Sequence, residues 1–283
     1  MATFVHLVNP VFVSKPHPLA VAQEVTFECM RVAKSCAPAL EITHMSAQYP
    51  EDHRIIPPAF QRTKDLTRSI LDHELIEPQR KLPFLHDLLE RAWAESDADY
   101  VIFSNVDISP VPHFYTAVDA LIKSGLSSFS INRRTIDDVV DPINHLELLW
   151  SLSGLPHPGH DCFIFPRRWI PNIDVGLIIV GVPWIGAALA TNLEMLDPSF
   201  VVLPDRHLTF HLGNDRPWAS AGDRRYRLHN MSEGRGILAR AWRANGLSRN
   251  PLLLKKSVQS VRASITWEMR YAMSRARTRV SSK

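Results

Sequence analysis

A mainly parallel α/β sheet flanked by helices is the fold class this sequence predicts. Three observations predict it. Strand-like and helix-like segments alternate along the chain. The apolar runs are short and end at turn residues. Polar Asn, Asp or His residues stand beside several of these runs, where sheets of this class carry their ligands.

The elements follow in order. Thr3–Val8 is an apolar run that suits a first strand. Leu19, Ala22, Val25, Cys29, Met30 and Ala33 then fall on one helical stripe. Residues 40–44 suit a second strand, and residues 48–58 are rich in turn formers. Leu82, Leu85, Leu88, Leu89 and Ala92 share a face, which predicts a helix over 82–94. Tyr100–Phe103 is a short apolar strand, and Pro110 and Pro112 open a helix that runs through Leu121. Residues 129–131, 162–165 and 208–210 are strand-like.

Residues 175–190 form sixteen positions without a charge. A membrane span needs about 20 apolar residues. Gly176, Gly181 and Pro183 break this stretch, so it reads as a buried strand at Ile178-Ile179-Val180 turning into a buried helix.

Composition narrows the classes. The chain has 283 residues, 45% of them hydrophobic and 22% charged, enough for a large core and unlike a disordered protein. Its three cysteines, Cys29, Cys36 and Cys162, form no Cys-x-x-Cys pair, so neither a disulfide framework nor a cysteine zinc site is expected. The first residues show no basic-then-apolar leader, and a reducing, cytoplasmic setting is the expectation.

Charge is unevenly placed. Residues 221–283 hold 15 Lys and Arg against 3 Asp and Glu, whereas residues 1–220 hold 17 against 26. The main domain is therefore expected over 1–220, with a basic, mainly helical extension over 221–283. Within the extension, Val258, Val261, Ile265, Met269 and Ala272 follow helical spacing among arginines. The pattern fits either a solvated helix packed on the domain or attachment to an anionic membrane surface through residues 257–283. Nucleic acid is a less favoured partner, since few aromatics interleave with the basic residues.

Four pieces carry candidate chemistry. Asn105-Val106-Asp107 follows the strand at Tyr100–Phe103. A carboxylate there suits Mn²⁺ or Mg²⁺, with Asn105 adding a neutral oxygen; a turn or helix cap is the bland reading. His211 follows an apolar run and precedes a turn-rich Gly213-Asn214-Asp215. Neutral imidazole ligates divalent metals, and His207 would share its face if both lay on one strand. Gly159-His160-Asp161 precedes the apolar run at Cys162, where an acid can act as a general base or meet sugar hydroxyls. Arg80-Lys81 stands just before a helix start, which suits a diphosphate.

In this order, from Asn9-Pro10 after the first strand through Arg80-Lys81-Leu82-Pro83, Asn105-x-Asp107, Gly159-His160-Asp161 and His211 near Trp218, the chain resembles the GT-A-type glycosyltransferases over residues 3–220. The resemblance implies a Rossmann-related catalytic domain that uses a nucleotide-sugar donor. It implies a divalent metal on Asp107 and His211 that holds the donor diphosphate. It places Asn9 near the nucleotide base, Arg80 and Lys81 at the nucleotide and phosphate, Asn105 beside the metal, and Asp161 near the reacting sugars. Asp161 is the first candidate for the catalytic base and Asp215 the second. The first acid of the family's Asp-x-Asp motif is Asn105 here, which leaves open a non-catalytic binding or scaffold protein of the same fold. Donor sugar and acceptor are not specified.

Other nucleotide-binding classes fit less well. A nucleotidyltransferase would want a Gly-rich basic loop after the first strand, and a dinucleotide or methyl-donor enzyme a Gly-x-Gly there. Asn9-Pro10-Val11-Phe12 offers neither, and no P-loop pattern occurs.

Overall fold

The structure is a computed structural model that describes residues 2–137, 139, 141–157, 159–213, 223–246 and 254. In chain order the elements are β1 (Thr3–Val8), α1 (Pro18–Ser35), β2 (Glu41–Ser46), β3 (Gln61–Arg62), α2 (Leu85–Ala94), β4 (Tyr100–Ser104), β5 (Ser109–Pro110), α3 (Phe114–Lys123) and β6 (Phe129–Ile131). There follow β7 (Arg134–Ile136), α4 (Leu146–Ser151), β8 (Leu155–Pro156), β9 (Cys162–Pro166), α5 (Ile185–Leu196), β10 (Val201–Leu203), β11 (Thr209–Leu212) and α6 (Arg224–Asn245).

Seven strands form the main sheet in the order β10-β6-β9-β4-β1-β2-β3. Pairing is parallel except at β9, which runs against both β4 and β6. The expected mainly parallel α/β sheet is therefore the one observed. Its central strands are apolar on both sides because helices cover both faces. Along β4, Val101 and Phe103 face one core while Ile102 faces the other. β9 alternates likewise, Phe163 and Phe165 against Cys162 and Ile164. Burial of each such Phe contributes roughly 2–3 kcal/mol. A second, four-stranded sheet in the order β5-β11-β7-β8 stands beside the first.

Local chemistry sets several boundaries. α1 starts at Pro18, where the His17 side chain accepts the Leu19 amide at 3.1 Å. The helix expected over 82–94 begins only at Leu85, because Phe84 pairs as an isolated bridge with Ile179. Among the described residues, that bridge is the strand pairing of the Ile178–Val180 segment. The Asn230 side chain of α6 bonds both the amide and the carbonyl of Ile179 at 2.8 Å, which replaces a neighbouring strand. Pro110 does not open α3. It lies in β5 at the edge of the small sheet, where a missing amide hydrogen costs no ladder bond, and α3 starts at Phe114. The amphipathic stretch 258–279 lies outside the described residues.

A buried polar chain crosses the layer between α3 and the sheet. The Tyr115 hydroxyl lies 2.9 Å from His6 Nδ1 and 3.0 Å from His44 Nε2, and His6 Nε2 lies 2.9 Å from Ser104 Oγ. The phenol can donate to one ring and accept from the other, so both imidazoles are satisfied while neutral. Burial, with a smaller effect of Lys34, pulls His44 down to about 4; burial and His44 pull His6 well below its ordinary value.

Stability should respond to pH accordingly. Between about pH 4 and the ordinary histidine value, the unfolded chain takes up a proton that folded His44 does not. Stability is thus full above about pH 6.5 and falls as pH drops toward 4, by at most about 3 kcal/mol from His44. Urea unfolding at pH 7 and pH 4.5 measures this, and His44→Gln is expected to flatten the decline. An equal decline in the variant would contradict the assignment.

Candidate functional site

The chain passes between the two sheets at one common edge. Residues 105–108 carry it from β4 to β5, residues 132–133 from β6 to β7, and residues 157–161 from β8 back to β9. Because β9 is antiparallel, its first residue, Cys162, stands opposite Ser104 at the end of β4 and Ile131 at the end of β6. The segment before β9 thus meets the segments after β4 and β6. Asn105-Asp107, Asn132-Arg133 and Asp161 are brought to one seam.

β11 completes the seam. It pairs with β5 and β7, and its His211 ring reaches Asp107. The turn at Asn105, closed by an Ile108 amide to Asn105 carbonyl bond of 3.1 Å, aims the Asp107 side chain toward it. His211 Nε2 lies 3.2 Å from Asp107 Oδ2. His211 Nδ1–H donates to the Gly213 carbonyl at 3.0 Å. That bond fixes the ring, so in neutral His211 the lone pair on Nε2 faces a carboxylate oxygen. Two acceptors in contact need a positive charge between or upon them. The other Asp107 oxygen, Oδ1, is buried without a hydrogen-bond partner among the described residues. Burial pushes the Asp107 carboxyl up, but with a proton on Nε2 the hydrogen bond and charge of His211, together with the nearby Arg133 guanidinium, outweigh it and hold it below the usual carboxylate range; a divalent cation would take the place of that proton. An ionised carboxylate with an orphaned oxygen, beside an imidazole lone pair, is a donor set that fits Mn²⁺ or Mg²⁺.

Asp161 is held differently. Its Oδ1 is 3.2 Å from Arg133 Nη1, and its Oδ2 accepts the Arg133 backbone amide at 3.3 Å. His157 Nε2 is 3.9 Å from Oδ1. The pair is largely withdrawn from solvent, with 17% of the Arg133 side chain and 6% of the Asp161 side chain exposed.

The remaining expected residues lie elsewhere along the fold. Asn9, at the end of β1, is buried and donates to the Ala47 carbonyl at 2.7 Å, tying the ends of β1 and β2. Lys81 lies 3.9 Å over the Tyr49 ring and 2.7 Å from Glu51. Nearby, Asp52 accepts the Phe12 amide at 2.6 Å, and the Arg54 guanidinium stacks on Phe12 at 3.2 Å. These residues form a polar corner where β1 and β2 end. Arg80 bonds instead to Asp223, and its backbone amide donates to the Tyr226 hydroxyl at 2.7 Å. His207 does not share a strand face with His211. It precedes β11 in a left-handed conformation, φ 52°, and is exposed. Asp215 lies outside the described residues.

Arg133 has no place among the sequence-derived candidates, although a residue just after an apolar strand is the signal that marks Asp107. A cluster of His86, Asp87 and Glu90 on α2 also has metal-ligand spacing, but Asp87 is taken by Arg68.

No protein-family model and no curated protein matches the sequence. Solved structures do match in fold. The chain is similar to S. aureus TarS 1-349, with a TM-score of 0.51 at 9% identity, over 91% of this chain and 71% of that one. The same protein in complex with UDP matches with a TM-score of 0.50 at 9% identity, over 90% and 70%. S. aureus TarS matches with a TM-score of 0.50 at 10% identity, over 91% of this chain and 43% of that one. The chain has the fold of the GT-A-type glycosyltransferases.

The seam depends on a close approach. Gly186, in the first turn of α5, lies so near His160 that a Cβ there would stand 2.5 Å from the His160 carbonyl oxygen. Gly186→Ala is expected to destabilise the fold by about 1–3 kcal/mol, since backbone rather than a flexible side chain must move. Thermal unfolding checks this. An unchanged Tm would show that His160 and the Asp161 segment beside it yield freely.

Proposed function

We propose that the protein transfers a sugar from a nucleotide-sugar donor to an acceptor hydroxyl, with a divalent cation, Mn²⁺ or Mg²⁺, at Asp107 and His211. The observation that carries this reading is the Asp107–His211 pair, an orphaned carboxylate oxygen beside an imidazole lone pair at the carboxyl edge of the sheet. The UDP bound by TarS supports a nucleoside diphosphate as the ligand class.

Asp107 and His211 supply two ligands, and Asn105 stands two residues before Asp107 as a neutral oxygen. The remaining positions fall to diphosphate oxygens and water, as is usual for Mg²⁺. The bound cation would neutralise negative charge on the departing diphosphate. Asn9 and Lys81 mark the corner at the ends of β1 and β2 as the place for the nucleoside, where Arg54 lies over the Phe12 ring. Arg80 acts through the loop that it fastens to α6. A carboxylate must take the acceptor proton if transfer inverts the sugar centre; Asp161 and Asp215 are the two named for it. The bonds to Arg133 occupy both oxygens of Asp161, which favours Asp215.

The basic extension supports a second contact, with an anionic membrane surface through residues 257–283, and hence a peripheral place on the cytoplasmic face. Arg224, Arg225, Leu228, Trp242 and Arg243 are exposed on α6, a mixture suited to a lipid headgroup layer. No helix among the described residues is long and apolar enough to cross a membrane.

Two outcomes are expected. A screen of nucleotide-sugars for nucleotide release should find a donor whose turnover needs Mn²⁺ or Mg²⁺, and Asp107→Asn should lower it on the order of 10²-fold or more. Undiminished turnover by that variant would remove the metal from this site, and release of no nucleotide from any donor would favour the scaffold reading. In sedimentation with vesicles containing anionic lipid, the full chain should bind more than a chain lacking residues 257–283. Equal binding would sink the anchor.

A further inference from the structure

We propose that Arg133 binds the diphosphate of the donor and that Asp161 is its positioning residue. This rests on the donor reading above and deepens it by naming the protein cation that meets the leaving group.

The guanidinium has a fixed arrangement. Nη1 is 3.2 Å from Asp161 Oδ1, and the Arg133 backbone amide donates to Asp161 Oδ2 at 3.3 Å, so one carboxylate grips both ends of the residue. This two-point hold fixes where the planar fork points. Nε is buried and has no hydrogen-bond partner among the described residues. A buried donor without a partner is costly, and a charged one more so. Such an atom is accounted for by a ligand that brings acceptor oxygens. The guanidinium also lies near enough to Asp107 to act on its ionisation. It is therefore bonded to one acid of the seam and within electrostatic reach of the other. A diphosphate bridged to a cation at Asp107 would present its other oxygens to this fork.

Charge favours the same occupant. At the seam Asp107 and Asp161 carry two negative charges against one from Arg133. A divalent cation leaves a net positive site, which suits a diphosphate and does not suit a neutral sugar alone. The bonded state of Asp161 also argues for orientation over proton transfer. Each Asp161 oxygen already accepts a bond from Arg133, so neither is free to aim at an acceptor hydroxyl without breaking the pair.

The test is nucleoside diphosphate binding by calorimetry, with UDP, GDP, ADP, CDP and dTDP as probes in the presence of Mg²⁺, and the matching nucleosides as controls. The wild type should bind at least one diphosphate. Arg133→Gln should weaken that diphosphate on the order of 10- to 100-fold and leave the nucleoside within about twofold. Arg133→Lys should retain part of the affinity, because it keeps the charge and loses the fork. Asp161→Asn should also weaken the diphosphate, less than Arg133→Gln, while preserving measurable turnover. Unaltered nucleoside binding shows that the variants remain folded. Diphosphate affinity unchanged in both Arg133 variants, with wild type binding, overturns this inference and leaves the donor reading in place. Loss of turnover in Asp161→Asn at unchanged diphosphate affinity makes Asp161 the base and overturns its positioning role. No diphosphate binding by wild type overturns both readings together.

Discussion

The reversal of β9 between β4 and β6 is the constraint on which the site depends. In a wholly parallel sheet the residue before a strand lies at the edge opposite the ligand crevice. Here the pairings of Cys162 with Ser104 and with Ile131 bring the start of β9 to the ends of both neighbours. Asp161 is carried to the crevice by strand direction, and the small sheet can form only beside that edge. β5, β7 and β8 each lie within a few residues of a main-sheet strand that ends or begins there. β11 then needs a place in the small sheet for His211 to face Asp107. One reversed strand thus ties the placement of six others to the meeting of four side chains.

The electrostatics of the seam follow from its partial withdrawal from water, with 6% of the Asp161 and 27% of the Asp107 side chain exposed. In low dielectric, an acid must be paired, protonated or bound to a cation. The Asp161 pair with Arg133 is the first solution. Asp107 is left with an imidazole that is already bonded on its far side, so its second solution is incomplete within the chain's own described residues. The two acids are therefore unequal. One is satisfied and rigid, and the other retains an open oxygen. The cation site proposed at Asp107 depends on that inequality, because an acid already paired within the chain would hold a cation less well.

Legibility in the sequence divides along the same lines. β4 and β9 are nearly continuous apolar runs, and β1 and β6 are interrupted only by buried His6 and Ser130, because helices cover both faces; such runs are visible without context. Their direction is not, so Asp161 can be seen at the mouth of a strand but not at which edge. The small sheet is nearly invisible. Its strands have two to four residues, and Arg134 and Pro156 are polar or ring-constrained. Their pairing energy comes from partners distant in sequence. Asp107 and His211 can be picked out because their order and spacing along the chain, rather than either motif alone, match a family pattern, and the fold brings the two side chains within 3.2 Å. Arg133 satisfies the same positional rule after β6, but a second arginine follows it, and a basic pair in a loop looks like solvated surface. Arg80 is the converse. Its place before a helix suggests a phosphate, whereas Asp223 and Tyr226 are 143 and 146 residues away in sequence and nothing local announces them.

That long-range clamp gives α6 its structural meaning. The segments before α2 and before α5 have few ladder partners, and their buried backbone groups must be met by something. α6 meets them with side chains. Tyr226 bonds the Pro78 carbonyl and the Arg80 amide, Asn230 bonds Ile179 and Pro183, and Glu233 accepts the Leu177 amide. Tyr226 and Ile237 are buried among the core side chains, and Gly234 leaves room for the ring of Trp184, the residue just before α5. The charge imbalance of residues 221–283 therefore conceals two functions of one helix. Its inner face is polar in a specific way, matched group by group to two loops. Its outer face carries exposed arginines, among them Arg224, Arg225 and Arg243. The first turn of α5, which packs on His160, is held through Trp184 by this same helix. The seam is consequently supported from behind by residues that net charge alone would assign to a solvated tail.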